Sequence, residues 1–440
     1  MKTGAFLFAS FRAGGRALGL SALALSAALA GCDGGGGGGT GGTGGTGGTG
    51  GSTGDPDCAK MISPGAEDQK TVQTALIEAS EGDILCFGEG TFKFESELSL
   101  DVNKVTLRGA GQDKTVWDFS GQDVGANGVL IKSDGVVVEH LTVQNTPGDG
   151  IRADSVTGIT FRNMTVLWEK DASLDNGAYG LYPVGSSQVL IDTCVVKGAR
   201  DAGIYVGQST NILVQNSEAY GNVAGIEIEN STDAEVVNND AHDNTAGILV
   251  FNLPGLPVQD GKRAKVHGNK VANNNVPNFG EPGTAVSKVP YGVGIMILAT
   301  DDNEVHDNEI KGNDSVGLLV VSYLESLFGP PNDPAYNPFP EGNFFHDNVF
   351  DNNGKNPDAL IGASSGGINP IPAIVWDGCT DPSAVDDGHL TNCLSNNKTG
   401  AGADAAYVNV DLCGMPSSVD IDVTKVTCEY EPLPAQQPQQ

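Results

Sequence analysis

Apolar residues recur along the middle of the chain with a period of 22 residues. A short strand that begins Ala-Gly-Ile starts at Ala202, returns at Ala224 and returns again at Ala246. Because side chains alternate along a strand, Ile204 and its equivalents are predicted to point inward and Tyr205 and its equivalents outward. A fixed period of apolar strands predicts a solenoid in which each coil stacks on the next.

A glycine followed by an aliphatic residue extends this repeat in both directions, with uneven spacing. The glycines of this pattern are Gly128, Gly150, Gly180, Gly203, Gly225, Gly247, Gly294 and Gly317. Insertions lengthen the connections before Gly180 and Gly294 and after the strands at Gly247 and Gly317. The coils from 203 to 247 lie between these insertions and have short connections. They are predicted to form the floor of a groove about 10 to 15 Å long between loop walls, where binding residues tend to sit.

The segment before the repeat contains a predicted helix followed by short apolar strands. Val72, Leu76 and Ala79 lie at helical spacing and predict a short amphipathic helix within residues 68–80. Strands with the sequences Gly90-Thr91-Phe92 and Val105-Thr106-Leu107-Arg108-Gly109 follow.

This order resembles the opening of right-handed parallel β-helix proteins of the pectate-lyase-like superfamily, and in detail uncharacterised β-helix proteins of bacterial envelopes. The resemblance implies an all-β fold, a right-handed parallel β-helix solenoid with a short N-terminal capping helix. Asparagines at Asn239, Asn269, Asn308 and Asn348 are expected to stack from coil to coil as a structural ladder that tolerates left-handed turns.

The beginning of the chain has the features of an export signal. Lys2, Arg12 and Arg16 precede an apolar run up to Ala30, so residues 1–31 are predicted to be a signal peptide. The sequence Leu29-Ala30-Gly31-Cys32 resembles the lipobox of bacterial lipoproteins, which implies that Cys32 carries a lipid. An ordinary signal peptide with an incidental cysteine is the alternative.

Residues 32–54, almost entirely Gly and Thr, are predicted to be a flexible tether. The expected location is therefore the bacterial cell envelope, facing the periplasm or the exterior, with the N-terminal lipid as the membrane contact.

The period fades beyond Gly354, so residues 55–354 are assigned to the β-helix and 355–440 to a cysteine-containing C-terminal cap with a disordered tail from Glu431. An exported chain favours disulfides. We expect Cys58 to pair with Cys86 and Cys194 to be buried and free. Two further pairs, with open connectivity, are expected among Cys379, Cys393, Cys413 and Cys428.

The formal net charge of −31 disfavours nucleic acid and anionic lipid headgroups as partners. An acidic surface is compatible with cations, neutral glycans, or acidic glycans bridged by Ca²⁺, and it also keeps an exported protein soluble. We expect a monomer whose partner is a polysaccharide. The metal site is unknown and Ca²⁺ stays open as a cofactor.

Two outward glutamates at the centre of the predicted floor are the candidate catalytic pair. Glu227 and Glu229 lie two residues apart, and paired carboxylates serve glycoside hydrolysis as acid and as base or nucleophile. Tyr205, one coil earlier, is a third candidate, for sugar stacking or proton transfer. Solvated glutamates on an outer strand face are the alternative interpretation.

Six further residues are candidates for substrate binding because they lie on the same outward register or in the connections beside it: Arg152, Tyr182, Arg200, Asp201, His242 and Phe251. His242 is alternatively a turn residue bonded to its neighbours. No zinc-ligand spacing, serine-nucleophile motif or phosphate-binding loop is present in the sequence, and no lyase or epimerase motif matches. The sequence predicts polysaccharide binding and processing by a lyase, epimerase or glycoside hydrolase. A non-catalytic adhesin or surface scaffold is the competing class.

Overall fold

The computed structural model describes residues 57–365, 367–384, 389–414 and 419–438. The expected signal peptide, Cys32 and the tether lie outside these residues. Within them the chain winds through successive coils, and each coil contributes strands in turn to three parallel sheets. No helix in the described ranges is long and apolar enough to cross a membrane.

We number the sheets in the order in which the chain first enters them. Sheet 1 contains Lys60–Ile62, Ile84–Phe87, Thr106–Gly109, Val136–Glu139, Thr157–Arg162, Ser187–Asp192, Thr210–Gln215, Thr232–Val237, Lys262–His267, Glu304–His306, Phe344–His346 and Cys393–Ser395. Sheet 2 contains Gly90–Lys93, Thr115–Asp118, Thr142–Gln144, Thr165–Leu167, Val195–Lys197, Glu218–Tyr220, Asp240–His242, Lys270–Ala272, Glu309–Lys311, Val349–Asp351 and Lys398–Thr399. Sheet 3 contains Ser96–Leu100, Val124–Ile131, Asp149–Asp154, Leu181–Val184, Ala202–Gly207, Ala224–Glu229, Ala246–Phe251, Val293–Leu298, Val316–Val321, Ile374–Trp376 and Tyr407–Asn409.

The interior of the coils is filled as the alternation predicts. Ile204, Ile226 and Ile248 stack in register inside the helix and are fully buried. The glycine before each of them marks a bend where neighbouring coils approach closely. A Cβ at Gly225 would lie 2.6 Å from the carbonyl oxygen of Gly247, so a side chain is excluded there.

The N-terminal cap forms as expected. A helix spans Asp68–Glu78 and buries Val72 and Leu76 over the first coil. The side-chain amide of Gln73 bonds both the backbone N–H and the carbonyl of Ser99, which satisfies the free edge of sheet 3 at this end. The predicted disulfide between Cys58 and Cys86 is present nearby.

The asparagine ladders follow the predicted stacking but differ in one detail. Asn239 accepts bonds from the coil before it and donates its amide to Asn269, and the series continues through Asn308 and Asn348 to Asn397. The left-handed conformation belongs to the residue before each ladder asparagine, for example Asn238 with φ 56°. The ladder amides are thereby free to bond along the stack.

The coils continue past Gly354, where the sequence period fades. Strands as late as Tyr407–Asn409 pair in parallel with the same sheets, while insertions that include the helices Glu325–Phe328 and Ala359–Ser364 interrupt the spacing. The C-terminal disulfides join Cys379 to Cys413 and Cys393 to Cys428, and Cys194 is free and buried as predicted. A 3₁₀ turn at Val423–Val426 follows the last strand and places Val426 in the interior.

The C-terminal tail differs from the expected disorder as far as the described residue 438. The backbone N–H of Leu433 donates to Glu304 Oε2 at 2.8 Å, and Lys265 Nζ donates to the Leu433 carbonyl at 2.9 Å. Glu235 accepts from the N–H of Gln436. Side chains on the outer face of sheet 1 thus form hydrogen bonds with the backbone of the C-terminal tail. The tail itself contributes little to the apolar core.

Candidate functional site

The outward positions of sheet 3 change character along the stack of coils. One column reads Tyr205, Glu227, Leu249, Met296 and Leu319 in successive strands. The next outward column, two residues on, contains Glu229, then Phe251 and Leu298. The strand register therefore places the glutamate pair between an aromatic end and an aliphatic end of one face.

This face is covered, which distinguishes it from the open groove floor that the sequence suggests. Tyr205 and Glu227 are each 3% exposed and Glu229 is 8% exposed. Residues of the insertions, among them Leu253, Val286 and Phe328, lie over the glutamates and form with them a partly open cavity of about 160 Å³. It is lined by Tyr179, Asp201, Glu227, Glu229, Leu249, Phe251, Leu253, Thr284, Ala285, Val286, Val289, Met296, Leu298 and Phe328.

Three carboxyl groups face this cavity, and the pKa of each is raised. Burial, then the charges of Asp201 and Glu229, hold the pKa of Glu227 well above its ordinary value. Burial also raises the pKa of Glu229, which a hydrogen bond from Tyr205 partly offsets. The pKa of Asp201 rises to about 8 through burial and the nearby Glu229, against a hydrogen bond from Tyr179. The site thus disfavours the ionised forms of all three carboxyls, a feature that recurs in acid–base catalysts.

A cluster of tyrosines forms the aromatic end of the face. The ring of Tyr179 lies 4.5 Å from Tyr182 and 4.7 Å from Tyr205, centroid to centroid. Burial raises the pKa of all three hydroxyls, to about 12 for Tyr182. The hydroxyls are therefore protonated near neutral pH, and those of Tyr205 and Tyr179 donate hydrogen bonds to Glu229 and Asp201.

Two arginines border the tyrosines. The guanidinium of Arg152 lies 5.0 Å from the centre of the Tyr182 ring and bonds Asp154 at 2.9 Å. Arg200 Nη1 bonds Glu281 Oε2 at 2.6 Å, which ties the covering loop to the connection before the strand Ala202–Gly207. Both arginines lie where the sequence places them, at one end of the face.

The structure brings together most of the predicted site residues. Tyr205, Asp201, Glu227, Glu229 and Phe251 meet at or beside the cavity, with Tyr182 and the arginines next to them. His242 lies elsewhere. It belongs to sheet 2, stacks on Tyr220 at 5.3 Å and bonds Glu218 and Asp243, because the connection it was assigned to is itself a strand.

Tyr179 and Asp149 were not among the site residues predicted from the sequence. They occupy equivalent positions directly before Gly180 and Gly150, and burial raises the pKa of Asp149 to about 6. Strict alternation along the strand would direct the residue before the glycine inward. The chain bends at the glycine, so this side chain points outward instead. In the neighbouring coil the position is occupied by Ala202, which faces outward with Tyr205. Reading the residue before each glycine as outward would have found both.

No group of three or more His, Cys, Asp or Glu side chains within the described ranges has an arrangement that would hold a metal ion.

Comparison with known proteins agrees with the architecture. The family described as "Right handed beta helix region" matches residues 127–275. No curated protein sequence matches the chain. The A-modules of two mannuronan C-5 epimerases from Azotobacter vinelandii are similar in structure. AlgE4 has 16% identity and a TM-score of 0.51, with 76% of this chain and 91% of that chain covered. AlgE6 has 14% identity and a TM-score of 0.51, with 76% and 93% covered.

The chain has the fold of a right-handed parallel β-helix. At these identities the likeness establishes the fold, so the role of the covered face has to be argued from its own residues.

Proposed function

We propose that this protein binds a polysaccharide of the cell envelope or its surroundings at the covered face of sheet 3 and processes it by acid–base chemistry. The reaction class is that of a lyase, an epimerase or a glycoside hydrolase. The observation that carries the proposal is the group of three carboxyls around one cavity, in which Glu227 and Glu229 are buried and Asp201 is half-buried.

Burying three like-charged groups together opposes folding, and such arrangements concentrate at functional sites. Their raised pKa values favour the protonated forms of these carboxyls, as a proton donor requires. In this proposal Glu227 is the proton donor, Glu229 is the acceptor, and Tyr205 positions Glu229. The half-buried rings of Tyr179 and Tyr182 offer surface on which a sugar ring stacks.

The fold supports a polysaccharide as the class of substrate. The β-helix modules of similar structure are named as epimerases of mannuronan. The cavity of about 160 Å³ is smaller than the roughly 300 to 1,000 Å³ of ordinary ligand pockets. One part of the polymer would therefore enter it, while the covering loop moves to admit the remainder.

We also propose that the protein acts in the bacterial envelope, held there by a lipid on Cys32. The charged start, apolar run and lipobox-like sequence of the first 32 residues support this location.

The test is incubation of the purified protein with alginate, polygalacturonate and neutral glucans. Reducing ends, absorbance of unsaturated uronates and C-5 configuration by NMR are followed. Glu227→Gln and Glu229→Gln should each lower turnover by about 10²- to 10⁴-fold without loss of fold. Glu235→Gln is the matched control, since Glu235 is equally buried but lies on sheet 1 beside His267.

Binding of a glycan without any turnover would favour the adhesin or scaffold class. If turnover is unchanged in both Glu227→Gln and Glu229→Gln, the two glutamates take no part in the reaction.

A further inference from the structure

A second cavity, of about 90 Å³, lies on the same face of sheet 3 beyond the carboxyl groups. Its floor continues the outward columns with Met296, Leu298, Leu319 and Val375. Its walls are the two short helices of the insertions, Glu325–Phe328 through Leu327 and Phe328, and Ala359–Ser364 through Leu360 and Ile361.

The two cavities are neighbours along the sheet. Val289, Met296, Leu298 and Phe328 line both of them. In the strand register only Leu249 separates Glu227 from Met296. Two strand spacings correspond to about 10 Å, so a ligand held at the carboxyl groups reaches the second cavity with a short substituent.

The size and lining of the second cavity define what it accepts. An apolar void of about 150 Å³ admits benzene, and 90 Å³ is smaller than that. A flexible chain of a few carbons fits this limit. Leu360, on the wall, is 39% exposed, so the cavity borders solvent and is not sealed within the core.

We propose that this cavity is a subsite for a short aliphatic substituent, of up to about four carbons, on the sugar that occupies the carboxyl site. The inference rests on the proposed function, because that function supplies the sugar. It adds a specificity that the carboxyl groups do not provide, a preference for sugars bearing a short ester or ether chain.

The test uses methyl and n-butyl glucoside with protein labelled at the methionine methyl groups with ¹³C. Met296 lines both cavities, and its signal is assigned with Met296→Leu. Each buried methylene changes affinity by about fourfold, so butyl glucoside should bind at least about tenfold more tightly than methyl glucoside. It should shift the Met296 signal and leave that of Met164, inside the coils, unchanged.

Leu319→Phe should fill the cavity and abolish the preference for the butyl chain. Leu190→Phe is its matched control, because both leucines are 4% exposed at outward strand positions, Leu190 on sheet 1. Leu360→Trp narrows the same cavity from its exposed wall. It replaces Leu319→Phe as the test of the butyl preference if that variant does not fold.

Equal affinity for the two glucosides, or a butyl preference that survives these substitutions, would overturn the subsite. Polysaccharide turnover that depends on Glu227 would then still uphold the proposed function. Conversely, a Leu319-dependent butyl shift in a protein that turns over no glycan would uphold the subsite and reject the catalytic proposal.

Discussion

Tyr205 donates its hydroxyl hydrogen bond to the carboxylate of Glu229, across neighbouring strands of sheet 3. The bond favours the ionised form of Glu229, whereas burial and both neighbouring carboxyls favour the protonated form of Glu227. The two glutamates, two residues apart, thus lie in different environments, although burial raises the pKa of both.

Removal of this bond should raise the pKa of Glu229 further. In Tyr205→Phe the burial that raises this pKa remains while the donor that lowers it is lost. A ¹³C titration of the glutamate carboxyl signals measures the change, and Tyr220→Phe on sheet 2 is the control. An unchanged Glu229 titration would show that the hydrogen bond has no effect on this carboxyl.

The free energy of unfolding should fall as the pH rises between about 4 and 8. The pKa values of Asp149 and Asp201 in the folded state are raised to about 6 and about 8 from 3.8. Over this window the folded protein binds more protons than the unfolded chain, so stability present at low pH is lost as each folded pKa is passed. Each such group contributes up to about 1.4 kcal/mol per pH unit.

Asp201→Asn should flatten this dependence, most clearly between pH 6 and about 8. Urea unfolding followed by circular dichroism at a series of pH values measures it. A variant whose slope equals that of the native protein would place the titration elsewhere.

Asn274→Ala should lower the free energy of unfolding by about 2 to 4 kcal/mol. The Asn274 side chain accepts two bonds from Asn244 and donates to Asn313 and to the Ala241 carbonyl, all of them buried. The substitution leaves these groups unpaired inside the protein. Asn103→Ala, at an exposed position with one side-chain bond to Asp134, is the control and should cost less than about 1 kcal/mol. If the free energy of unfolding falls by a similar amount in both variants, the buried asparagine ladder contributes no more to stability than an exposed asparagine.

Glu281→Gln should loosen the loop that covers the carboxyl groups with little effect on global stability. The ion pair with Arg200 is partly exposed, and such pairs contribute up to about 1 kcal/mol. Hydrogen exchange of residues 276–291 should become faster while that of the sheets stays the same. Glu89→Gln, which breaks an exposed pair with Lys114 elsewhere, is the control. Unchanged exchange in the loop would mean that other contacts hold it closed.

The sequence by itself determined the coil and its register. Ile204 and Tyr205 point to opposite sides because a strand alternates, and the 22-residue period stacks equivalent residues, so the outward glutamates and their loop walls were predictable from local rules. The pairing of Cys58 with Cys86 also followed, whereas that of the four later cysteines did not.

The tertiary structure alone decided how the loops fold onto the sheet. Insertions have no period, and their positions depend on contacts between residues far apart in sequence, such as Arg200 with Glu281. Those contacts bury Glu227 and Glu229, bring Asp201 and Tyr179 to them and raise their pKa values. The bend at each glycine, which hid Tyr179 and Asp149, is likewise a consequence of close approach between coils. Local alternation determines the direction of a side chain, but its environment depends on what packs against it.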